Sequence, residues 1–328
     1  MQNQILWLNR KEVESLLDMK GALKVVEEAF RQHGLKKVQM PPKLYLYFKD
    51  HNGDLRTMPG YLEEQDIAGV KIVNVHPDNP KKGLPTVMAL VILNSTESGA
   101  PLAIMDGTYL TDMRTGASGG IAVKYLARKT SRTVGFVGTG NQARSQLLAI
   151  NEIIDIHEIK ATSTSEKQTL AFKEDMELRV ECEITPKNTI KEVCDCDILV
   201  TTTPSRKPIV MNDWISESTH INAIGADAPG KEELDPRILK RAKVIVDDIQ
   251  QASHSGEVNM PISRGSFSGK DIFSELGEVI TGKKKARTND SDITVFDSTG
   301  LAIQDVATAN LVYQKALKAK LGIRLQEF

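Results

Sequence analysis

The amino-acid sequence predicts an α/β protein with two domains: a Rossmann-type domain with a doubly wound parallel sheet, and a smaller α+β domain. Three observations support this prediction. Strand-like segments separated by turn residues fill much of the first third of the chain, strand-like and helical segments alternate after residue 130, and a glycine-rich turn opens that alternation. A chain of 328 residues is long enough to bury a core in each domain.

Apolar residues at helical spacing predict two short helices between Lys11 and Gln32, with Asn9 and Asp18 as their N-caps. Five strand-like segments follow, at 44–48, 55–58, 70–75, 85–93 and 101–105. The apolar run 84–93 is expected to be a buried strand, because it is much shorter than the ~20 residues of a membrane span. This part of the chain is therefore expected to form a mixed or antiparallel sheet.

A further helix is predicted over 114–125, and it begins with small residues that would let another backbone or a ligand come very close. Six strand-like segments then alternate with helical ones, at 133–137, 158–162, 197–202, 220–224, 243–247 and 292–296. Such alternation predicts a parallel sheet. A last helix, 302–321, is expected to return to the first domain, so the predicted domains are 1–115 with 306–328, and 116–305.

Composition argues against several classes of protein. The formal net charge of -1 gives no electrostatic reason to expect nucleic acid or a membrane as partner. The N-terminus lacks a signal-peptide pattern, which predicts a cytoplasmic protein. The three cysteines, Cys182, Cys194 and Cys196, have no metal-ligand spacing, so no metal is expected. His254 and the Ser255-Gly256-Glu257 that follows it are interpreted as a polar loop.

The glycine-rich turn lies within 133–143, where the sequence TVGFVGTGNQA predicts a strand, a turn and the start of a helix. Gly138 permits the tight turn, Gly140 lets the backbone approach a pyrophosphate, and Ala143 takes the place of a third glycine. The N–H groups of the helix would face the phosphates. The spacing predicts a dinucleotide site, with a turn that serves packing alone as the alternative.

Ligands of doubly wound sheets lie at the carboxyl ends of the strands, so the residues after each strand are candidate contacts. Four segments qualify, namely Ser163-Thr164-Ser165, Thr202-Thr203-Pro204-Ser205, Gly225-Ala226-Asp227 and Asp297-Ser298-Thr299-Gly300. Asp227 would stand where a nicotinamide sits. The alternative is that it serves as a helix cap or turn residue.

Two cations stand out in the first domain. Lys71 interrupts an apolar strand, and since burying an unpaired ammonium is costly, it either points to water or has a function. Arg114 offers a planar fork suited to a substrate carboxylate or a pyrophosphate, and the alternative is a surface ion pair.

Eight motifs occur in the order that is typical of one family: Gly69-Val70-Lys71, Gly83-Leu84-Pro85-Thr86, Met105-Asp106-Gly107, Arg114-Thr115-Gly116-Ala117, the glycine-rich turn, Thr201-Thr202-Thr203-Pro204, Ile224-Gly225-Ala226-Asp227 and Asp297-Ser298-Thr299-Gly300. Together they resemble the ornithine cyclodeaminase and mu-crystallin family, particularly its archaeal alanine dehydrogenase type. The resemblance covers nearly the whole chain.

The resemblance implies a homodimer paired through residues 1–115 with 306–328, which also bind the substrate, and a nicotinamide dinucleotide bound by residues 116–305. Lys71 resembles the family's catalytic lysine and Asp227 its catalytic aspartate. Arg114, Lys43 and Thr86 resemble its substrate contacts, with lysine in place of an arginine at Lys43. The cofactor contacts implied are Arg114, Thr115, Gly138, Gly140, Asn141, Gln142, Ser163, Thr164, Ser165, Thr203, Gly225, Ala226, Asp227 and Ser298.

One departure from the pattern bears on the cofactor. Ser163 stands where the archaeal dehydrogenase pattern has an aspartate that accepts hydrogen bonds from the ribose hydroxyls. Without that carboxylate, the 2′-phosphate of NADP would not be repelled. No arginine in the turn completes a phosphate site. NAD is the predicted cofactor, and NADP is the alternative.

The resemblance therefore implies an enzyme that oxidatively deaminates a small L-amino acid, with L-alanine as the expected substrate, to pyruvate and ammonia. Lys71 would move a proton, Asp227 would orient or deprotonate water or hold the amine, and Arg114 with Lys43 would anchor the carboxylate. One alternative is an ornithine cyclodeaminase that forms proline and ammonia with no net redox change. Another is a dinucleotide-dependent binding protein or ketimine reductase of the mu-crystallin type, and the presence of both Lys71 and Asp227 argues against binding alone.

Overall fold

The computed structural model describes residues 4–326 of the chain, which form two compact units. As far as they are described, Met1–Arg114 and Leu301–Phe328 make the first unit and Thr115–Gly300 makes the second. The C-terminal boundary lies before the last helix and not within it at residue 305, because that helix is one continuous element of the first unit. The roles of the two domains stay predictions.

The described strands and helices, in chain order, are β1 (Gln4–Leu8), α1 (Arg10–Leu16), α2 (Met19–Gly34), β2 (Val38–Gln39), β3 (Leu44–Phe48), β4 (Gly53–Leu62), β5 (Ile67–Val75), β6 (Val87–Ser95), β7 (Pro101–Asp106), α3 (Thr108–Leu126), β8 (Thr133–Val137), α4 (Asn141–Asn151), β9 (Glu158–Thr162), α5 (Glu166–Val180), β10 (Ile184–Pro186), α6 (Ile190–Val193), β11 (Ile198–Thr201), β12 (Arg206–Val210), β13 (His220–Ala223), β14 (Glu232–Leu234), α7 (Pro236–Arg241), β15 (Lys243–Val246), α8 (Ile249–Ser255), α9 (Asn259–Ser263), β16 (Ser274–Glu275), α10 (Leu276–Ile280), β17 (Thr294–Asp297), α11 (Ala302–Ala319) and β18 (Ile323–Gln326). Within residues 4–326, no helix has both the length and the apolar character needed to cross a bilayer.

The first unit contains a mixed sheet, as predicted, with strand order β18-β1-β7-β6-β5-β4-β2 and with β3 also paired to β4. The β1–β7 pair is parallel and the other pairs are antiparallel. Helix α11 packs on β4, β5, β6 and α2, so it covers one face of the sheet. Cross-strand partners share a face, and the register therefore decides which side chains meet this helix.

The other face of this sheet exposes apolar side chains, and we call it the open face. Leu44, Ile72 and Leu90 are joined on it through the pairs Leu44–Thr57, Thr57–Ile72 and Ile72–Leu90. Leu44 is 67% exposed and Leu90 is 41% exposed. The expectation of a buried strand over 84–93 was therefore wrong: β6 is half-buried, because its alternate residues lie on the open face.

Helix starts follow local capping. The predicted N-caps are confirmed, since the side chain of Asn9 accepts a hydrogen bond from the Glu12 N–H and that of Asp18 accepts one from the Gly21 N–H. Helix α3 begins at Thr108 and not at the predicted residue 114, because the carboxylate of Asp106 accepts hydrogen bonds from the first N–H groups of the helix. Arg114 consequently lies inside the helix.

The second unit contains a sheet of eight parallel strands in the order β10-β9-β8-β11-β13-β17-β15-β16. Successive residues of β11 belong to opposite faces: Ile198 and Val200 pack in one core with α4 and α5, and Leu199 packs in the other with α7 and α8. A sheet with helices on both faces confirms the predicted doubly wound fold.

Small residues let α3 approach α4 closely, as the sequence suggested. A Cβ on Gly116 would lie 2.3 Å from the backbone oxygen of Ser145, so only glycine fits there without a shift. Next to this contact, the Gln146 amide donates to the carbonyl of Thr115 at 2.8 Å. Thr115, predicted as a cofactor contact, is itself buried in this contact region.

Candidate active site

Lys71 lies in the middle of β5, and its side chain is 1% exposed. The residues paired with it, Met58 in β4 and Val91 in β6, are apolar and buried, so the ammonium is on the covered face of the sheet. Its Nζ lies 2.8 Å from Oδ2 of Asp305 in helix α11. The lysine that interrupts the apolar strand is thus buried and paired, and it does not point to water.

Arg114 shares the same carboxylate. Its Nε donates to Oδ1 of Asp305 at 2.9 Å, and its Nη1 donates to Oε1 of Gln304 at 3.0 Å. Nη2 makes no hydrogen bond to a residue in the described range 4–326. The interpretation of Arg114 as a surface ion pair was therefore wrong, because the pair is buried: the side chain of Arg114 is 7% exposed and that of Asp305 is not exposed.

The surroundings of Lys71 lower its pKa to about 7. Burial is the largest cause, since it penalises the charged form, and the nearby Arg114 guanidinium acts in the same direction. Asp305 opposes them and raises the pKa, and Lys43 lowers it further. An amine with a pKa near neutrality can both give and accept a proton at physiological pH, which is what general acid–base catalysis requires.

Two of the predicted substrate-side residues, Lys71 and Arg114, meet at Asp305, and the other two, Lys43 and Thr86, lie in the segments before β3 and β6. Lys43, just before β3, is close enough to Lys71 for its positive charge to lower the pKa of Lys71. Thr86 is exposed in the segment before β6, and its backbone carbonyl accepts a hydrogen bond from the His76 N–H at 2.8 Å.

Sequence reasoning missed Asp305, although a signal for it was present. The acid lies in a run of small and apolar residues at the start of α11, of which 302–309 are all buried. Burying an unpaired carboxylate is as costly as burying an unpaired ammonium. The cost of burying a lone charge therefore marks Asp305 in the sequence as clearly as it marks Lys71.

The glycine-rich turn of the second unit has the geometry of a phosphate-binding turn. Gly138 has a φ of +94°, in the region that favours glycine, and directly follows β8. A Cβ on Gly140 would meet nothing within 4 Å, so the start of α4 at Asn141 is open to a ligand. The hydroxyl oxygens of Thr139 and Ser298 are buried and have no hydrogen-bond partner in the structure as described. These features fit a dinucleotide.

The segment after β9 forms a compact turn that prepares the start of α5. The hydroxyl of Ser163 donates to the carbonyl of Ser165 at 2.9 Å and lies 3.0 Å from the Thr169 hydroxyl. Ser165 is the N-cap of α5 and accepts from the Gln168 N–H. Thr164 between them is exposed. The structure places the three predicted residues together at the carboxyl end of β9.

A buried glutamate that sequence reasoning missed ties together the carboxyl ends of β11 and β13. Glu233 accepts hydrogen bonds from the N–H and the hydroxyl of Thr203, from the hydroxyl of Thr201 and from the N–H of Gly225. Burial raises its pKa. Thr203 and Gly225, two predicted cofactor contacts, are therefore held by one side chain, and Ala226 beside them is buried.

Asp227 follows this turn and is only partly buried, with 36% of its side chain exposed. Its carboxylate forms an ion pair with the ammonium of Lys231 at 2.5 Å. Lys231 also donates to the carbonyl of Gly225 at 3.3 Å. The ion pair fixes Asp227 at the carboxyl end of β13, as the sequence predicted, and leaves part of its carboxylate accessible.

The prediction of a polar loop at His254 was wrong. Residues Ile249–Ser255 form helix α8, and Glu257 after it is fully buried. The carboxylate of Glu257 accepts hydrogen bonds from the N–H groups of Glu233 and Leu234. The polar residues of this segment therefore form a helix end and a buried contact with backbone N–H groups. Composition alone cannot distinguish these from a polar loop.

Comparison with known proteins gives a consistent result. A model of the ornithine cyclodeaminase/mu-crystallin family matches residues 3–320. The chain is 54% identical over 326 residues to an alanine dehydrogenase of Archaeoglobus fulgidus, covering 99% of each chain.

Solved structures of similar proteins have the same fold. An archaeal alanine dehydrogenase dimer with bound NAD is 54% identical, with a TM-score of 0.96 over 99% of this chain and 100% of that one. The Δ1-pyrroline-2-carboxylate reductase of Thermococcus litoralis, in complex with NADH and L-proline, is 39% identical, with a TM-score of 0.95 over 98% and 100%.

Proposed function

Because the chain belongs to the ornithine cyclodeaminase/mu-crystallin family and is an enzyme of that family, we propose that it oxidatively deaminates L-alanine to pyruvate and ammonia with NAD. The observation that carries the proposal is the buried Lys71, whose pKa of about 7 suits proton transfer beside a guanidinium that can hold a carboxylate. The 54% identity to an alanine dehydrogenase supports alanine as the substrate.

Arg114 is proposed to bind the substrate carboxylate. Asp305 and Gln304 hold two of its nitrogens, so the guanidinium has a fixed orientation in which Nη2 can donate to a ligand. Lys43 adds a second positive charge but lacks the two-point geometry of an arginine. Fixing the carboxylate fixes the position of Cα, and correct placement alone supplies a large part of catalysis.

Lys71 is proposed to move the protons of the reaction. The bound dinucleotide would supply the hydride acceptor, so that alanine, NAD⁺ and water give pyruvate, ammonium, NADH and a proton. Neutral Lys71 can take a proton from the amine or from the attacking water, and protonated Lys71 can return one in the reverse direction. Asp227 is proposed to orient or deprotonate that water, or to hold the substrate amine, while Lys231 keeps its carboxylate in place.

NAD is the proposed cofactor, and the second unit offers the residues to hold it. The open start of α4 after Gly140 suits the pyrophosphate, and the unpartnered hydroxyls of Thr139 and Ser298 can serve as further contacts. Ser163 lacks the carboxylate that would exclude NADP, and its hydroxyl is already bonded within its own turn. NADP therefore remains the alternative cofactor.

We further propose that the chain forms a homodimer through the open face of the first unit. Leu44, Leu46, Met88 and Leu90 are all more than a third exposed there. A contiguous apolar face of this kind is typical of a protein interface. The archaeal alanine dehydrogenase of similar structure is a dimer.

A second candidate function is the reduction of a cyclic imino acid. It is supported by the 39% identity to the pyrroline-carboxylate reductase, and a near-neutral Lys71 could protonate an imine as readily as it accepts a proton from an amine. Both reactions need an anchored carboxylate and a mobile proton, so the described geometry serves either.

The test is a substrate panel followed by absorbance of the reduced nicotinamide. L-Alanine with NAD is expected to give a rise in absorbance that equals the pyruvate formed. Activity confined to Δ1-pyrroline-2-carboxylate with NADH would favour the reductase, and proline formed from L-ornithine without net reduction would favour the cyclodeaminase. Either of these results, with no alanine oxidation, would overturn the proposal.

A further inference from the structure

We infer that Asp305 is a positioning residue that joins Lys71 and Arg114 into one ionic unit, so that carboxylate binding at Arg114 is linked to proton uptake at Lys71. The inference rests on the proposed function for the identity of the substrate carboxylate. Asp305 thereby gains a role beside Lys71 and Arg114, and binding of a carboxylate should take up protons in a measurable amount.

The geometry of Asp305 is that of a bridge. Its Oδ2 lies 2.8 Å from Nζ of Lys71 and its Oδ1 lies 2.9 Å from Nε of Arg114. None of the side chain of Asp305 is exposed, so both contacts are shielded from bulk water. A buried ion pair is costly to leave half-formed, and one carboxylate that serves two cations therefore fixes both of them.

Among the described residues around Lys71, Asp305 is the acidic partner, because the others are apolar, cationic or already paired. The strand neighbours Met58 and Val91 are apolar, and Lys43 is a cation. On β4, the guanidinium of Arg56 lies on the same face but forms a two-point pair with Asp54, at 2.9 and 3.0 Å.

The charges of Lys71, Arg114 and Asp305 do not balance, and this imbalance links carboxylate binding at Arg114 to proton uptake at Lys71. The Asp305 carboxylate faces two cations, and the charge of Lys43 also acts on Lys71. This group of side chains therefore has excess positive charge while Lys71 is protonated. A substrate carboxylate on Arg114 would cancel part of that excess. Protonated Lys71 then becomes easier to form, so carboxylate binding near neutral pH should take up protons.

The first experiment compares the wild-type protein with Asp305→Asn, which removes the charge but keeps the size. The pH profile of kcat/KM for L-alanine should keep its shape while its midpoint moves to lower pH by about one unit, because Asp305 raises the pKa of Lys71. KM for alanine should rise several-fold, because Arg114 loses its orientation. Thr308→Val is the matched control: it removes a buried hydrogen bond to Gln304 one turn further along α11, and it should leave the midpoint unchanged.

A second measurement does not need activity. Propionate, a carboxylate without an amine, is mixed with the wild-type protein and NAD in weak buffer near pH 7, and a pH indicator reports proton uptake. When the measurement is repeated between about pH 5 and about pH 9, uptake should be largest near neutral pH in the wild type and in Thr308→Val, and at lower pH in Asp305→Asn, because Asp305 raises the pKa of Lys71. This result supports the inference even if no amino acid is oxidised. Uptake with the same pH dependence in Asp305→Asn as in the wild type, no uptake in the wild type, or a lower kcat in Asp305→Asn with an unmoved midpoint would each overturn it.

Discussion

Asp297, at the end of β17, is expected to make the protein less stable as the pH rises. It is fully buried, its Oδ2 accepts a hydrogen bond from the Val258 N–H at 3.1 Å, and its Oδ1 has no partner within the described part of the chain. Burial raises its pKa to about 8, and the neighbouring Asp247 and Glu233 act in the same direction. The folded protein therefore favours the neutral carboxylic acid. In the unfolded chain, Asp297 loses its proton near the ordinary pKa of 3.8.

The sign and size of the effect follow from linkage. A group whose pKa is raised by folding stabilises the folded state fully below its unfolded pKa, and this contribution is lost as the pH rises through the folded value. At about 1.4 kcal/mol per pKa unit, the change from 3.8 to about 8 corresponds to at most about 6 kcal/mol. Asp297→Asn, which stays neutral, should therefore stabilise the protein by at least about 1 kcal/mol at about pH 9 and by roughly a third of the pH 9 value at about pH 5, because most of the loss falls between these two pH values.

The assay is thermal unfolding followed by circular dichroism across this pH range, with Asp292→Asn as the control of opposite sign. Asp292 accepts hydrogen bonds from Lys243 and from the N–H groups of Thr288 and Asn289, and these contacts lower its pKa despite partial burial. Its contribution is present at high pH and lost as the pH falls, so Asp292→Asn should lower Tm at about pH 9. A Tm of Asp297→Asn that lies below that of the wild type by the same amount at both pH values would refute the reasoning.

Three further predictions concern packing, cofactor and assembly. Gly116→Ala should destabilise the second unit by about 1–3 kcal/mol, measured by urea unfolding, because its Cβ would lie 2.3 Å from a backbone oxygen; an unchanged midpoint would contradict the close contact. Ser163→Asp should raise the ratio of kcat/KM for NAD over NADP, and an unmoved ratio would show that this turn does not contact the ribose. Light scattering should show a dimer for the wild type and a monomer for Leu46→Glu with Leu90→Glu; a dimer in both would exclude the open face as the interface.

Much of the fold was predictable because its local signals agree with its tertiary contacts. Residues 133–137 have the apolar run, the glycine turn and the following helix that a parallel strand requires, and the strand has those bounds. Short strands such as β10 and β16 were missed, because two or three residues carry no periodicity and gain their structure from a neighbour in the sheet.

The candidate site was predictable only in part. Lys71 and Arg114 were identified, because a charge in an apolar strand and a planar cation beside small residues are visible in sequence. Their shared partner, Asp305, is separated from Arg114 by 191 positions, and nothing in one sequence links such distant residues. Glu233 was missed for the same reason, since its partners Thr203 and Gly225 meet it only in the folded sheet.

We propose that hydride passes from Cα of alanine to the nicotinamide while Lys71 moves the proton, and an isotope measurement can follow this transfer. The protein is incubated with L-alanine deuterated at Cα and with NAD, and the reduced cofactor is analysed by mass spectrometry. We expect one deuterium per reduced nicotinamide, formed with an equal amount of pyruvate, and a kcat at least ~10²-fold lower in Lys71→Ala. Reduced cofactor without deuterium, no reduced cofactor at all, or a wild-type rate in Lys71→Ala would contradict it.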